Sequence, residues 1–268
     1  LTLVAAVLFP LLTVLATGWL LAPTATNGTY YAQWVPERPY YAAWDGVLLD
    51  AQIDGVRTPI GRLRNSDVFR EALQSGAPVT LHLRRGMATT ALAAVYVVMD
   101  DSQREILMIG ISGEDLVVRH RLRSTEFRLD LPDERFHDFL HSAAPSDVVK
   151  LRMTRDRRGR TCVATERRSA CSHLRSLGAI WSLVLWKGEL APPLRRLVDG
   201  AAVALLLLPA STIVGLRWSL RSLSGFVAVM VAFALLGRGV GLSWPGITEP
   251  LGALGALAVG RWLARELH

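Results

Sequence analysis

The chain has 268 residues, 51% of them hydrophobic, and a formal net charge of +7 at pH 7. This length leaves room for one domain of about 170 residues plus a few helices. The apolar residues cluster towards the two ends, whereas the middle carries nearly all the acidic groups. This separation excludes a chain in which apolar and charged residues are spread evenly. It predicts a membrane protein with one extramembrane domain.

Residues 1–22 form the first apolar segment. The run is longer than the apolar core of a signal peptide, and no basic stretch precedes it in this sequence. We therefore interpret it as a retained transmembrane helix, with a cleaved signal peptide as the alternative.

The last region, residues 197–268, contains three further apolar segments, namely Val198–Leu216, Leu223–Leu242 and Leu251–Leu263. A bilayer core of about 30 Å needs roughly 20 apolar residues per helix, so the third segment is marginal. The prediction is an α+β membrane protein in which four transmembrane helices carry an inserted all-β domain. Membrane lipid is then a partner.

Basic residues in short loops set the predicted orientation. Arg217 and Arg221 lie between the second and third segments, and Arg261 and Arg265 lie near the end of the chain. With four spans, both groups fall on the cytoplasmic side. The sequence thus predicts a multi-pass protein of a bacterial inner membrane with its large domain in the periplasm. Nucleic acid is then not expected as a partner, and the excess positive charge is assigned to anionic lipid headgroups or salt-paired arginines.

Residues 23–53 form an aromatic-rich linker after the first helix. Amphipathic rings of this kind suit either the headgroup zone of a membrane or a protein interface, and both interpretations stay open. The candidates are Tyr30, Tyr31, Trp34, Tyr40, Tyr41 and Trp44.

Residues 54–196 alternate short apolar strands with polar turns, at a spacing typical of an antiparallel sandwich or jelly roll. The predicted strands are Val79–Arg84, Ala91–Met99, Glu105–Ile111, Leu116–Arg123, Phe127–Leu131, Val148–Thr154, Thr161–Thr165 and Ala179–Trp186. Cys162 and Cys171 fall on two strands of one hairpin. They form a candidate disulfide, with two unpaired thiols as the alternative.

Two resemblances follow from these segments. The strand series from Glu105 through Arg119 and from Val148 through Trp186 resembles a concanavalin A-like, laminin-G-type jelly roll. The stretch 242–256, which is rich in Leu, Gly and Ala, resembles the last helix of VanZ-like membrane proteins. Membership of that family would imply polar groups in the membrane region, including a Glu-Leu-Leu-Gln element. This chain lacks the element and has the apolar residues 233–237, followed by Arg238, in its place.

Two groups of residues have the spacing or composition of a metal site, but each has a simpler explanation. His137 and His141 have the i, i+4 spacing of metal ligands, but no third ligand is near in sequence. We therefore favour ordinary polar residues at the surface. Asp100-Asp101-Ser102 has the composition of a calcium loop, and a plain hairpin turn is preferred. No phosphate loop or nucleophile motif is present. No catalytic residue, metal or cofactor is assigned, and the protein is predicted not to be an enzyme.

Within the apolar region, Arg238 is expected to snorkel, to pair with Glu249 or to contact a partner subunit. Two functional hypotheses remain. In the first, the protein is a non-enzymatic, membrane-anchored accessory or scaffold subunit. Its β-sandwich docks on a larger complex, such as a photosynthetic or respiratory one, and integral membrane subunits of that complex are its partners. In the alternative, a VanZ-like envelope protein uses its jelly roll to bind a cell-wall glycan or glycopeptide.

Overall fold

The computed structural model describes residues 2–24, 26–34, 40–129, 133–156, 160–172, 192–216, 220–239, 242 and 248–266. The chain divides into two compact units. A helical unit comprises Leu1–Ala22, Ser124–Pro132 and Leu174–His268, and a β-unit comprises Pro23–Arg123 and Asp133–His173.

The β-unit contains two six-stranded sheets in which every neighbouring pair is antiparallel. In spatial order, sheet 1 consists of β4 (Gly61–Arg62), β1 (Tyr30–Gln33), β6 (Thr89–Asp100), β7 (Glu105–Gly113), β8 (Asp115–His120) and β9 (Glu134–Phe136). Sheet 2 consists of β12 (Ser169–Cys171), β11 (Thr161–Ala164), β10 (Val148–Arg155), β5 (Val79–Arg84), β2 (Val47–Ile53) and β3 (Val56–Arg57).

The main apolar core of the β-unit lies between the two sheets and is built from alternating residues of both. In sheet 2, β5 buries Val79, Leu81 and Leu83 and turns the residues between them outward. This is the alternation expected of a strand with one face on the core. Side chains from sheet 1, such as Leu107 and Ile109, belong to the same cluster. The predicted all-β sandwich is therefore present.

Sheet 1 is buried on its other face as well. Val97, Met108 and Val117 form a second buried cluster on that face. This explains why β6 and β7 have almost continuous apolar sequences, as the sequence predicted for Ala91–Met99. A strand buried on one side only would have alternated.

A short helix, α2 (Ser66–Ser75), precedes β5 and packs Phe69 and Ala72 into the core. It ends at Gly76, which adopts a left-handed backbone with φ of 78°. The backbone of Gly76 lies so close to β10 that a Cβ atom there would fall 2.0 Å from the carbonyl oxygen of Arg155. Glycine is required on both grounds.

One predicted strand is wrong, and another lies outside the described residues. Arg123–Phe127 forms a 3-10 helix, and Arg128 has a positive φ of 59°. A residue in that conformation turns the chain, so Phe127–Leu131 does not begin as an extended strand. The predicted strand Ala179–Trp186 is not among the described residues.

The helical unit contains α1 (Thr2–Leu21), α3 (Pro192–Leu216), α4 (Leu220–Gly239) and α5 (Thr248–Glu266). Helices α3 and α5 run in the same direction and approach closely. Gly252 lies against the backbone of Gly200, and Gly260 lies against Ser211. Small residues at these crossings allow the two backbones to approach.

No helix within the described parts of the chain is both long enough and apolar enough to cross a membrane. In α5, for example, four charged residues interrupt the apolar sequence, namely Glu249, Arg261, Arg265 and Glu266. This finding contradicts the predicted four transmembrane helices. It also contradicts the VanZ-like membrane region and the multi-pass location in a bacterial inner membrane, because both depended on those helices.

Candidate functional site: the exposed basic face of sheet 2

The outer face of sheet 2 is exposed and carries several cationic side chains. Alternation along β10 turns Lys150 and Arg152 outward, and alternation along β5 does the same for His82 and Arg84. The β-sheet register sets Lys150 opposite His82. We call these residues, with Arg57 on β3, the basic face.

One row of the basic face combines positive charge with apolar surface. Arg84 lies opposite Val148 of β10 on one side and opposite Val47 of β2 on the other. Both valines are unusually exposed for apolar residues, at 63% and 48% respectively. An arginine flanked by exposed apolar side chains is a combination enriched in protein interfaces.

One carboxylate, Asp50 of β2, borders the basic face. Asp50 lies 2.7 Å from Nε of Arg57 and 3.7 Å from Nδ1 of His82, and the amide of Gln52 donates a hydrogen bond to it. Burial raises the pKa of Asp50, but the Gln52 amide and Arg57 lower this pKa more, so the net shift is downward. Asp50 is therefore ionised at neutral pH and offsets one cation, while Arg84, Lys150 and Arg152 stay exposed.

The predicted aromatic interface residues do not form one surface. Tyr30 and Trp44 are buried in the core, and Trp34 packs against it. The hydroxyl of Tyr41 donates a hydrogen bond to Glu105 and accepts one from Arg119, which gives this side chain a structural role. Two candidates remain at the surface, with Tyr31 half-buried and Tyr40 exposed.

Cys162 and Cys171 face each other on β11 and β12 and are joined by a disulfide bond. The bond closes the hairpin at the edge of sheet 2, beside the basic face.

The predicted intramembrane pair occupies two different environments. Arg238 is exposed on α4, whereas Glu249 is 3% exposed at the start of α5. Of the glycines on α5, Gly252 and Gly260 contact α3, whereas a Cβ atom at Gly255 would meet nothing within 4 Å. Ser211 and Thr212 both donate to the carbonyl of Leu208, as hydroxyls in helices commonly do.

The metal-binding alternatives gain no support. His137 and His141 lie in a turn rather than on a helix, and His137 contacts Asp115. Asp100 accepts hydrogen bonds from the backbone N–H groups of Ser102 and Arg104, as expected for a hairpin turn. No group of three or more ligand side chains suited to a metal occurs among the described residues.

The basic face was missed at the level of sequence. The alternation of Val148, Lys150 and Arg152 is visible in the sequence, but their placement on one face with Arg84 depends on β10 lying beside β5. Those two strands are separated by 63 positions in sequence, which no periodicity reveals. Comparison with known proteins adds no further guide, since no family model, curated protein or solved structure matches the chain. The concanavalin A-like resemblance therefore stays a prediction.

Proposed function

We propose that this protein is a non-enzymatic accessory protein whose β-sandwich docks on an acidic surface of a partner protein through the basic face. The observation that carries the proposal is the placement of Arg84, Lys150 and Arg152 on adjacent strands of one exposed sheet face. Such a patch attracts an oppositely charged surface and orients it during association.

The composition of the face favours a protein partner over nucleic acid. Proteins that bind single strands combine positive charge with aromatic rings on which bases stack. The described outward positions of β5 and β10 carry no Phe, Tyr or Trp side chain and include Val148 beside Arg84. A charged patch with apolar neighbours is better matched by an acidic protein surface with an apolar centre.

The glycan alternative has weaker support. Exposed aromatic rings on one face of a sheet would support glycan binding. Trp44 is buried and Trp34 packs against the core. Trp181 and Trp186 lie outside the described residues.

A titration with fluorescently labelled poly-L-glutamate, followed by anisotropy, tests the proposal. We expect the double variant Lys150→Gln/Arg152→Gln to bind about tenfold more weakly than the wild type, since each exposed charge contributes up to about 1 kcal/mol. The matched control is Arg62→Gln/Arg64→Gln, which removes the same charge from exposed positions on and after β4.

An equal loss of affinity in the two double variants would contradict the proposal, because it would reflect net charge alone. An oligothymidylate of matched charge serves as the competing ligand. If it binds more tightly than poly-L-glutamate, and loses that affinity in the Lys150→Gln/Arg152→Gln variant, the partner is nucleic acid and the proposed class of partner is wrong.

A further inference from the structure

The interior of the sandwich is polar at one end. Arg155 is the last residue of β10 and points inward, where Thr161 of β11 lies opposite it. Sheet 1 places His120 and Glu134 on its inner face, since they pair with the core residues Leu107 and Val118. The hydroxyl of Thr161 lies 3.4 Å from Nε2 of His120, so this contact joins the two sheets.

The guanidinium of Arg155 is enclosed but not satisfied. Only 9% of the residue is exposed, and its Nε and Nη1 atoms are buried without a hydrogen-bond acceptor. The side chain forms no ion pair with the described residues. This differs from Arg85, which is similarly buried and pairs with Glu114.

The surroundings hold the arginine in place, and two carboxylates act on it without forming an ion pair. The backbone of Arg155 is fixed by Gly76, whose carbonyl accepts its N–H at 3.4 Å. Burial lowers the pKa of Arg155, and the carboxylates of Glu134 and Asp156 raise it to a smaller extent. Buried arginines are normally paired, because an enclosed charge without a partner is costly.

We propose that Arg155 is the anchor of an anion-binding site that takes a carboxylate or phosphate group of a small ligand at this end of the sandwich. The guanidinium offers a side-on fork made by Nε and Nη2 and an end-on fork made by Nη1 and Nη2. Each fork includes one of the two buried, unpaired nitrogens. Both forks match the two-oxygen geometry of carboxylate and phosphate.

This site is separate from the basic face. Arg155 points into the core, whereas Arg152 of the same strand points to the opposite side of the sheet. The inference therefore does not depend on the proposed function, and either can fail alone.

The test is a thermal unfolding titration of the full chain with inorganic phosphate and, separately, with acetate, at ionic strength held constant with sodium chloride. We expect one of the two anions to raise the Tm of the wild type by about 5 °C at a hundredfold excess over its Kd. Arg155→Met should abolish this shift. Arg152→Met, which removes an exposed arginine from the same strand, should retain it.

Retention of the shift by Arg155→Met would overturn the proposal, as would a wild-type Tm that responds to neither anion. A second measurement covers the case in which Arg155→Met does not fold. The Nε–H resonance of Arg155 in the wild type should shift in a saturable manner with phosphate or acetate and not with chloride. A resonance that is unchanged by all three anions would mean that water alone satisfies the guanidinium, and the site would be excluded.

Discussion

Arg119 and Asp133 form a two-point ion pair, in which Nε and Nη2 of the arginine donate to the two carboxylate oxygens at 2.6 and 2.8 Å. The hydrogen bonds with Asp133 raise the pKa of Arg119, so the guanidinium keeps its positive charge. Nη1 of the same guanidinium donates to Tyr41 and Glu105. The network links β7, β8, the segment between β1 and β2 that carries Tyr41, and the residue before β9.

Loss of this pair should destabilise the protein moderately. We expect Asp133→Asn to lower the free energy of unfolding by about 1 kcal/mol, because the pair is two-pronged but partly exposed. The matched control is Asp67→Asn, which removes a carboxylate that contacts Arg70 at 2.6 Å but is 90% exposed. Urea denaturation should show a change close to zero for the control. Equal changes in both variants would contradict a special role for the Arg119 network.

The ionised carboxylate of Asp100 should make the stability of the fold sensitive to acid. Burial raises the pKa of Asp100, but the backbone N–H and side chain of Arg104 and the hydroxyl of Thr26 lower it more, so the folded-state pKa is below the ordinary value. The stability from this group is present above the unfolded-state pKa of about 3.9 and is lost as the pH falls through the lower, folded-state pKa.

We therefore expect Asp100→Asn to be less stable than the wild type at pH 7 and to lose less stability below pH 4. Denaturation curves at several pH values measure the difference. Parallel pH profiles for the two proteins would show that the ionised carboxylate does not contribute in the folded state.

Because α3 and α5 approach closely, alanine substitutions at two glycines of α5 should have opposite effects on stability. A Cβ atom at Gly252 would lie 2.1 Å from the carbonyl oxygen of Gly200, whereas one at Gly255 would meet nothing within 4 Å. We expect Gly252→Ala to lower the free energy of unfolding of the helical unit by about 2 kcal/mol. Gly255→Ala should raise it by up to about 1 kcal/mol through helix propensity. Chemical denaturation followed by circular dichroism measures both, and a stabilising Gly252→Ala would contradict the packing.

The Cys162–Cys171 disulfide should stabilise the edge of sheet 2. The two cysteines are nine residues apart, and closing a loop of that size contributes about 2–3 kcal/mol on the chain-entropy estimate. We expect the double variant Cys162→Ser/Cys171→Ser to lose about that amount and to be insensitive to dithiothreitol. Two titratable thiols in the unreduced, denatured wild type would show that the bond is absent.

The hydropathy pattern predicted those strands in which the burial of each face stays the same along the whole strand. Val79–Arg84 and Val148–Thr154 alternate because one face lies on the core, and Ala91–Met99 is continuously apolar because both faces are buried. The helix α2 was missed, although Gly76 at its end and the spacing of Phe69 and Ala72 are signals of an amphipathic helix.

Other features depended on information that is not local. The aromatic segment around Tyr30 and Tyr31 is predicted to lie in the headgroup zone of a membrane or at a protein interface, but Tyr30 is buried in the core, on β1 between β4 and β6. The inward position of Arg155 requires the alternation of β10 to continue one residue past the predicted strand end at Thr154. The order and register of the strands determine which of these side chains face the core, and the hydropathy pattern encodes neither.

The central claim is that a partner binds the outer face of sheet 2, and chemical-shift mapping of the isotope-labelled chain tests it most directly. On addition of a short poly-L-glutamate peptide, we expect the largest backbone amide shifts at Arg84, Val148, Lys150 and Arg152. We expect no comparable change at Arg62 of β4 or at Arg64, which follows this strand. Shifts that are spread evenly over the exposed arginines, or that concentrate at Arg62 and Arg64, would contradict the account.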